Sequence, residues 1–172
     1  MKRIVAVAAL IALAACHRAK VPREQFLLRI DGPWAAPATL AGKHVRSAPA
    51  TIVYFRDDKE YFELHFTAIE QNDDALYISD NLPRASALGK WTKDGETINV
   101  SREKISRADL ARFLCGPITF HISGGSVTGN AGGKGDGMYA PVTRLVAPDF
   151  QTYLKEVRQS TRFCPGFQPP KS

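Results

Sequence analysis

The 172-residue sequence lacks most of the features that identify a protein class directly. No apolar run reaches the roughly 20 residues that a membrane-spanning helix needs, which excludes a polytopic membrane protein. The 13 glycines and 11 prolines are too few for a collagen-like or low-complexity chain. The formal charge of +6 is spread thinly, so no nucleic-acid-binding face is indicated. One ordinary globular domain fits what remains.

The N-terminus has the layout of an export signal. Lys2 and Arg3 precede an uninterrupted apolar run over residues 4–15, which as a helix reaches only roughly 18 Å and cannot span a bilayer. The run ends in Leu13-Ala14-Ala15-Cys16, which resembles the lipobox of bacterial lipoproteins, whose cysteine receives diacylglycerol before cleavage. The resemblance implies a lipoprotein signal peptide over residues 1–15 and a lipidated Cys16. An ordinary secretory signal is the alternative.

The same resemblance predicts where the protein resides. His17 follows the cysteine, whereas retention at the inner membrane in Gram-negative lipoproteins usually goes with Asp at that position. We therefore expect a lipoprotein anchored through Cys16 in the outer membrane of a bacterial envelope, facing the periplasm. The expected organisation downstream is a flexible tether over residues 16–25, a single β-rich domain over 26–165 and an irregular tail over 166–172.

Replacing Cys16 by serine tests this localisation. Cys16→Ser removes the thiol that would carry the lipid, so the protein should move from the detergent phase to the aqueous phase in phase partitioning. Mass spectrometry should show the loss of the acyl chains at the same time. If the variant stays in the detergent phase with an unchanged mass, Cys16 is not the anchor.

The two remaining cysteines are predicted to form a disulfide. An extracytoplasmic compartment is oxidising, and with Cys16 consumed by lipid only Cys115 and Cys164 are left to pair. The closed loop of about 50 residues would stabilise the fold by on the order of 4 kcal/mol. Two independent thiols are the alternative.

Alternation of apolar and polar residues, broken by turn residues, dominates from Phe26 onward and predicts antiparallel strands. Asp94-Gly95 between two such segments is a strong hairpin signal. Within residues 61–68 the even positions, such as Phe62 and Leu64, are predicted to lie on a dry face. The odd positions are predicted to lie on a wet face: Tyr61, Glu63, His65 and Thr67.

Two short helices interrupt this pattern. Ser106 and Asp109 have the spacing of a capping box, with Leu110, Phe113 and Leu114 as the apolar stripe of the first helix. Residues 149–160 form the second, whose apolar positions recur at helical spacing: Phe150, Tyr153, Leu154 and Val157. The predicted fold is α+β, mainly an antiparallel β meander curled as a barrel or sandwich, with the two helices packed on it.

The glycine-rich stretch 124–137 matches none of the motifs that bind phosphate or calcium, nor a nucleophile elbow. It is interpreted as a hairpin and loop whose positive-φ positions are structural, with a flexible contact loop as the alternative. Phe120, residues 125–133 and Gly137-Met138-Tyr139 resemble the META domain family of small envelope-associated β-rich domains. The resemblance implies a non-catalytic role in the envelope or in a stress response. Three residues of this region are the candidate surface contacts: Lys134, Asp136 and Tyr139.

Catalytic signatures are missing, and no cofactor or metal site is expected. His65 and His121 both fall on polar faces of predicted strands, but two histidines without a third ligand are weak evidence for zinc. We therefore expect a non-enzymatic periplasmic binding or envelope-maintenance lipoprotein, with an envelope protein as a candidate partner. A small periplasmic hydrolase using His65 or His121 is one alternative. Inhibition of a cell-wall lytic enzyme through the acidic residues Asp57, Asp58 and Glu60 is the other.

Overall fold

The structure is a computed structural model that describes residues 26–40, 42–72, 75–79, 84–124, 126–131, 135–142, 145–146 and 150–167. The predicted signal peptide, lipidation site and tether, Lys134 and residues 168–172 of the tail lie outside these ranges. The strands of the structure are β1 (Phe26–Ile30), β2 (Ala38–Leu40), β3 (Lys43–Phe55), β4 (Glu60–Gln71), β5 (Ala75–Ile78), β6 (Ala85–Asp94), β7 (Thr97–Ile105), β8 (Ile118–Ser123), β9 (Ser126–Gly129), β10 (Gly137–Pro141) and β11 (Leu145–Val146).

Eight of these strands close into an antiparallel barrel. The order around the ring is β1, β3, β4, β6, β7, β8, β9 and β10, and β10 pairs again with β1. The hairpin predicted at Asp94-Gly95 joins β6 to β7, with Gly95 at a φ of 58°, a left-handed conformation that suits glycine. Three short strands lie outside the ring. β2 pairs with residues 43–45 at the start of β3, and β5 pairs with residues 68–71 at the end of β4. β11 pairs with β5 in the parallel direction. The predicted fold class is confirmed, in its barrel form.

The prediction that the odd positions of β4 lie on a wet face is wrong for Tyr61 and Glu63, which the barrel buries, whereas His65 and Thr67 on the same face are partly exposed. Tyr61 and Glu63 point into the barrel and have no exposed surface. The opposite face of the strand carries Phe62 and Leu64, which pack under a helix on the outside of the barrel wall. A closed barrel with a covering helix encloses the two sides of the same strand, so polar residues at alternate positions do not indicate solvent here.

The covering element is helix α2 (Phe150–Gln159), which confirms the second predicted helix. Tyr153, Leu154 and Val157 are buried in an apolar cluster on the outside of the barrel with residues of β3, β4, β5 and β6, and the backbone of α2 lies against β6 and β7. The i, i+1 and i+4 spacing of these residues gives one apolar stripe, and residues 151, 152, 155, 156, 158 and 159 are exposed to solvent. No helix in the described part of the chain has the length and apolar character needed to cross a bilayer.

The first predicted helix is shorter than expected and is not capped by Ser106. A 3₁₀ turn (Ala108–Leu110) leads into helix α1 (Ala111–Leu114), and the residue before the turn makes no side-chain cap hydrogen bond. Ser106 Oγ instead accepts a hydrogen bond from the backbone N–H of Ser86 at 2.8 Å, so it joins this segment to β6. Leu114 is buried, whereas Phe113, predicted in the same stripe, is 53% exposed.

The structure contains the predicted disulfide between Cys115 and Cys164. Cys115 directly follows α1, and Cys164 lies five residues after the end of α2. Around the bond lies a small apolar cluster that includes Ala85, Ile105 and Leu114. The disulfide therefore holds α1 and the C-terminal segment against one end of the barrel.

The two ends of the barrel interior differ in character. Toward the β3–β4 hairpin, aromatic rings from five strands fill the barrel: Phe55, Tyr61, Trp91, Phe120 and Tyr139. The register places Phe26, the first residue of β1, opposite Tyr54 and so beside this aromatic end. Arg29 pairs with Thr51, and Thr51 with His65, at the other end, where the interior becomes polar.

A β-bulge lets β7 supply both Arg102 and Ile105 to the interior. Leu88 lies opposite Lys104, and the next residue, Gly89, lies opposite Arg102, so Glu103 has no partner on β6. This extra residue shifts the alternation of β7 by one position, so that odd-numbered side chains point inward after it and even-numbered ones before it. Gly89 accommodates this close approach, because a Cβ there would lie 2.1 Å from the backbone oxygen of Ser101. Only glycine fits without movement of the backbone.

We expect Gly89→Ala to lower the free energy of unfolding by about 1–3 kcal/mol, through overpacking between β6 and β7. Urea denaturation of the variant and the parent chain measures the effect. Gly116→Ala is the matched control, because a Cβ at that position meets no atom within 4 Å. Equal urea midpoints for the two variants would show that the bulge tolerates a side chain.

Candidate functional site

A buried ion pair lies at the polar end of the barrel. Glu63 on β4 has no exposed surface, and Arg102 on β7 donates to its Oε2 from Nε at 3.1 Å and from Nη2 at 3.0 Å. Tyr61 donates its hydroxyl proton to the same carboxylate oxygen at 2.5 Å. Two charges in a dry interior are tolerated only when they are paired and hydrogen-bonded, which these contacts achieve.

Arg102 also fixes the segments that close this end of the barrel. Its Nη2 donates to the carbonyl of Ala131 at 2.9 Å, and its Nη1 donates to the carbonyl of Phe113 at 3.2 Å. Ala131 follows β9, and Phe113 belongs to α1. One guanidinium therefore joins the barrel wall to the two elements that cover its end.

The environment shifts the acidities of this cluster in opposite directions. Burial alone raises the pKa of Glu63, but the charge of Arg102 and the hydrogen bonds from His65 and Tyr61 outweigh it, so the pKa of Glu63 lies below its ordinary value. Burial, together with the nearby charge of Glu63, raises the pKa of Tyr61 well above 10. Glu63 is thus an anion and Tyr61 a neutral donor across the physiological range.

A chain of hydrogen bonds extends from Glu63 across three strands. His65 Nε2 lies 3.0 Å from Glu63 Oε1, and His65 Nδ1 lies 2.9 Å from Thr51 Oγ1. Thr51 Oγ1 is in turn 2.5 Å from Asp31 Oδ2, and Asp31 pairs with Arg29 Nε at 2.6 Å. Arg29 completes the chain by donating to the carbonyl of Gly129 at 2.8 Å.

Counting protons along this chain constrains its chemistry. The three contacts between Glu63 and Asp31 need three protons, whereas a neutral imidazole and the Thr51 hydroxyl supply two. Two of the three contacts are therefore hydrogen bonds when the imidazole is neutral. Both ring nitrogens of His65 are engaged by protein atoms, and the Thr51 hydroxyl belongs to a residue with no exposed surface.

Two adjoining clefts open beside His65, whose side chain is 23% exposed. The first, of about 290 Å³, has charged residues on its walls together with apolar ones, among them Asp31, His65, Arg84 and Arg107. The second, of about 210 Å³, is apolar apart from the imidazole and is lined by His65, Ala85, Leu110, Phe113, Leu114 and Ala131. His65, Ala85 and Leu110 line both clefts, so the two meet along these residues.

The residues around the clefts are held in place. Arg107 donates hydrogen bonds to the Asp109 carboxylate from Nε at 3.1 Å and from Nη2 at 2.6 Å, on the exposed side of the 3₁₀ turn. Arg84 donates to the Tyr153 hydroxyl at 3.0 Å and lies over its ring, which ties the cleft wall to α2. Phe113 is 53% exposed at the second cleft. The clefts thus combine a part lined by charged side chains that are already paired or hydrogen-bonded with a part that is apolar.

The two histidines predicted for a hydrolase are not brought together. His65 faces the barrel interior, whereas His121 is exposed on the outside of β8, between the buried residues Phe120 and Ile122. β6 and β7 separate β4 from β8 in the ring. Within the described ranges, no group of three or more His, Cys, Asp or Glu side chains is placed to hold a metal ion.

The candidate surface contacts near β10 differ in their exposure to solvent. Asp136 is exposed, as expected, but Tyr139 is 2% exposed and its ring packs against Phe120 inside the barrel. The expectation of a surface role for Tyr139 is therefore wrong. Tyr139 shares its inward facing with Val127, its register partner on β9.

The acidic residues proposed for an inhibitor lie in the β3–β4 hairpin beside arginines. Arg56 pairs with Asp58 at 3.5 Å and with Glu60 at 2.8 Å, and Arg158 also reaches Glu60 at 2.5 Å. Three acids and two arginines leave little net negative charge at this surface.

No family model, curated protein or solved structure matches the chain. The resemblance to META domains therefore depends only on the residues between Phe120 and Tyr139, which form β8, β9 and β10.

Sequence patterns alone did not reveal Arg102 or the clefts. Arg102 continues the inward positions of Ile98 and Val100, just as Glu63 continues that of Tyr61. An acidic and a basic residue, Glu63 and Arg102, therefore follow inward-facing positions in two strands. This pattern was the feature of the sequence that could have predicted an ion pair inside the barrel. The clefts had no such signal, because their walls come from six separate segments of the chain.

Proposed function

We propose that the protein is a non-enzymatic, lipid-anchored envelope lipoprotein that binds a small ligand in the two clefts beside His65. The anchor is Cys16, in the sequence context of a lipobox. The binding surface is the polar end of the barrel, where the clefts together offer a space within the range of ordinary ligand sites.

The observation that carries this proposal is the exposure of Phe113 beside a concave, largely apolar surface. A phenyl ring that is 53% exposed contributes little to folding, and its neighbours Leu110 and Leu114 belong to the same cleft. Exposed apolar surface in a concavity is typical of a ligand-binding region. Burial of this surface by a ligand would give a favourable hydrophobic term.

The chemistry of His65 favours binding over catalysis. A general base needs a nitrogen within reach of a substrate proton, and both nitrogens of His65 are occupied by Glu63 and Thr51. A threonine nucleophile needs an accessible hydroxyl, and Thr51 is fully buried. The chain of hydrogen bonds instead gives His65 a fixed orientation on the floor of the clefts.

Fragment binding observed by NMR tests the site. We expect some members of a mixed panel of neutral, anionic and cationic fragments to shift the amide resonances of residues that line the clefts. Leu110→Trp, at a residue shared by both clefts, should abolish these shifts by filling the space. Met138→Trp is the matched control, since Met138 is 65% exposed on β10 and lines neither cleft. Shifts that persist in Leu110→Trp, or a panel that leaves the cleft residues unaffected, would contradict the proposal.

A further inference from the structure

We infer that the ligand of these clefts is an uncharged molecule whose apolar group occupies the second cleft. This inference rests on the proposed function, since it names the class of molecule that the same site would take. Two observations carry it. The charged side chains that line the first cleft already have partners in the protein, and the second cleft is lined by apolar residues around one imidazole.

The first cleft gives an ion no free counter-charge among its described residues. The pairs already formed there are Arg107 with the Asp109 carboxylate, Arg84 with the Tyr153 hydroxyl, and Asp31 with both Arg29 and Thr51. An ion that entered this cleft would lose part of its hydration, and it would have to displace one of these partners to be paired again. A charged group on the ligand is therefore disfavoured, whichever its sign.

The polar atoms at the second cleft are satisfied from inside the protein. Arg102 donates to the carbonyls of Phe113 and Ala131, at 3.2 and 2.9 Å, and both of these residues line the cleft. His65 places its two ring nitrogens 3.0 and 2.9 Å from side-chain oxygens of fully buried residues. A polar group in this cleft would lose hydrogen bonds to water without replacing them, whereas an apolar group gains free energy by leaving water.

The volume of the second cleft sets the size of the apolar group. It is about 210 Å³, and an apolar cavity of roughly 150 Å³ is large enough to bind benzene. A benzene ring that carries a methyl or ethyl group, or a hydrocarbon of equal size, therefore fits. Arg112 lies over the Phe113 ring at 4.7 Å, yet Phe113 remains 53% exposed. The ligand would cover this surface, and an aromatic ligand would add a favourable contact between rings.

Three molecules that share one ring and differ in charge provide the direct test. Toluene, benzoate and benzylammonium are added by dialysis to the full chain in nanodiscs, with empty nanodiscs as the blank, and the amide shifts of Leu110 and Phe113 report binding. Dialysis fixes the free concentration, whatever the lipid takes up. Toluene should bind at least about tenfold more tightly than either ion, because neither ion recovers its hydration in the clefts. From benzene to toluene to ethylbenzene, each added carbon atom should tighten binding by about fourfold.

A matched pair of variants places the apolar group in the second cleft. Phe113→Ser removes an apolar wall and should weaken toluene by about fivefold or more. Met138→Ser, at a position that is 65% exposed and lines neither cleft, should leave the affinity for toluene unchanged. Unshifted amide resonances of β3 and β4 in the ligand-free variants show that both have folded. Equal affinity for toluene in Phe113→Ser and the parent chain would place the ligand elsewhere and overturn the inference.

The failures of the two proposals are distinguishable. If fragments of the mixed panel occupy the clefts but toluene binds no better than benzoate or benzylammonium, the clefts do not select an uncharged ligand. The inference is then overturned and the binding site stands. If benzene, toluene and ethylbenzene bind equally well, no apolar group enters the second cleft, which also overturns the inference. If neither the fragments nor the alkylbenzenes perturb the cleft residues, both proposals fail.

Discussion

Replacing Arg102 by methionine is expected to lower the free energy of unfolding by about 3–5 kcal/mol at pH 7, because it leaves the Glu63 carboxylate buried without its counter-charge. The loss has a second source in the carbonyls of Ala131 and Phe113, which lose their donor. Urea denaturation of the variant and the parent chain measures it. The matched comparison is the double variant Arg102→Met with Glu63→Gln.

The double variant should be more stable than Arg102→Met alone. It removes both charges, so no unpaired ion remains in the barrel, and the introduced glutamine amide keeps an oxygen that can accept from Tyr61. If the losses of the two single variants simply add in the double variant, Glu63 and Arg102 do not stabilise each other, and the ion pair is not the organising contact of this end of the barrel.

The same variants should differ in their pH dependence. In the parent chain the pKa of Glu63 is lowered in the folded state, so its contribution is fully present above the ordinary glutamate pKa and is lost as the pH falls through the lower folded value. In Arg102→Met burial should dominate and raise the pKa of Glu63, so stability should instead fall as the pH rises above about 4.5. Unfolding midpoints between pH 3 and 7 measure both slopes. Slopes of the same sign would contradict this account.

The second large effect is expected from removal of the disulfide. Cys115→Ala combined with Cys164→Ala should cost about 4 kcal/mol, since the bond closes a loop with a sequence separation of 49 residues. Reduction of the disulfide in the parent chain should lower the free energy of unfolding by the same amount. The same reducing conditions should leave the free energy of unfolding of the double variant unchanged. A loss below about 1 kcal/mol would show that the unfolded chain is not constrained by this bond.

The position of the disulfide predicts where the weakening appears first. Cys115 follows Leu114, which lines the second cleft, and Cys164 belongs to the apolar cluster beneath it. Hydrogen exchange should therefore accelerate over residues 108–115 more than over β3 and β4 when the bond is absent. Uniform acceleration along the chain would indicate that α1 is held by its other contacts.

Local signals in the sequence predicted local structure well. The turn at Asp94-Gly95 predicted the β6–β7 hairpin, and the stripe of Tyr153, Leu154 and Val157 predicted α2. Both depend on residues close together in the chain, whose chemistry is visible in a short window. The capping role of Ser106 failed for the opposite reason, since a distant backbone N–H, that of Ser86, took the hydroxyl.

The candidate site depends on contacts that no local window contains. Glu63 and Arg102 are 39 positions apart, and they meet only because β6 lies between β4 and β7. The barrel closes through the pairing of β1 with β10, which joins the two ends of the domain. The alternation of apolar and polar residues predicts which side chains share a face of a strand. It does not predict whether that face lies inside a closed barrel, and the polar residues of β4 were therefore expected to face solvent.

The placement of Phe26 sets where the N-terminal segment joins the barrel. β1 begins at the aromatic end of the barrel and runs toward the clefts, and the nine residues between Cys16 and Phe26 allow roughly 35 Å between these two positions at most. If Cys16 carries the acyl chains that we propose, the anchored segment would enter the domain at the end opposite the clefts. The attachment itself would then leave the mouth of the clefts unobstructed.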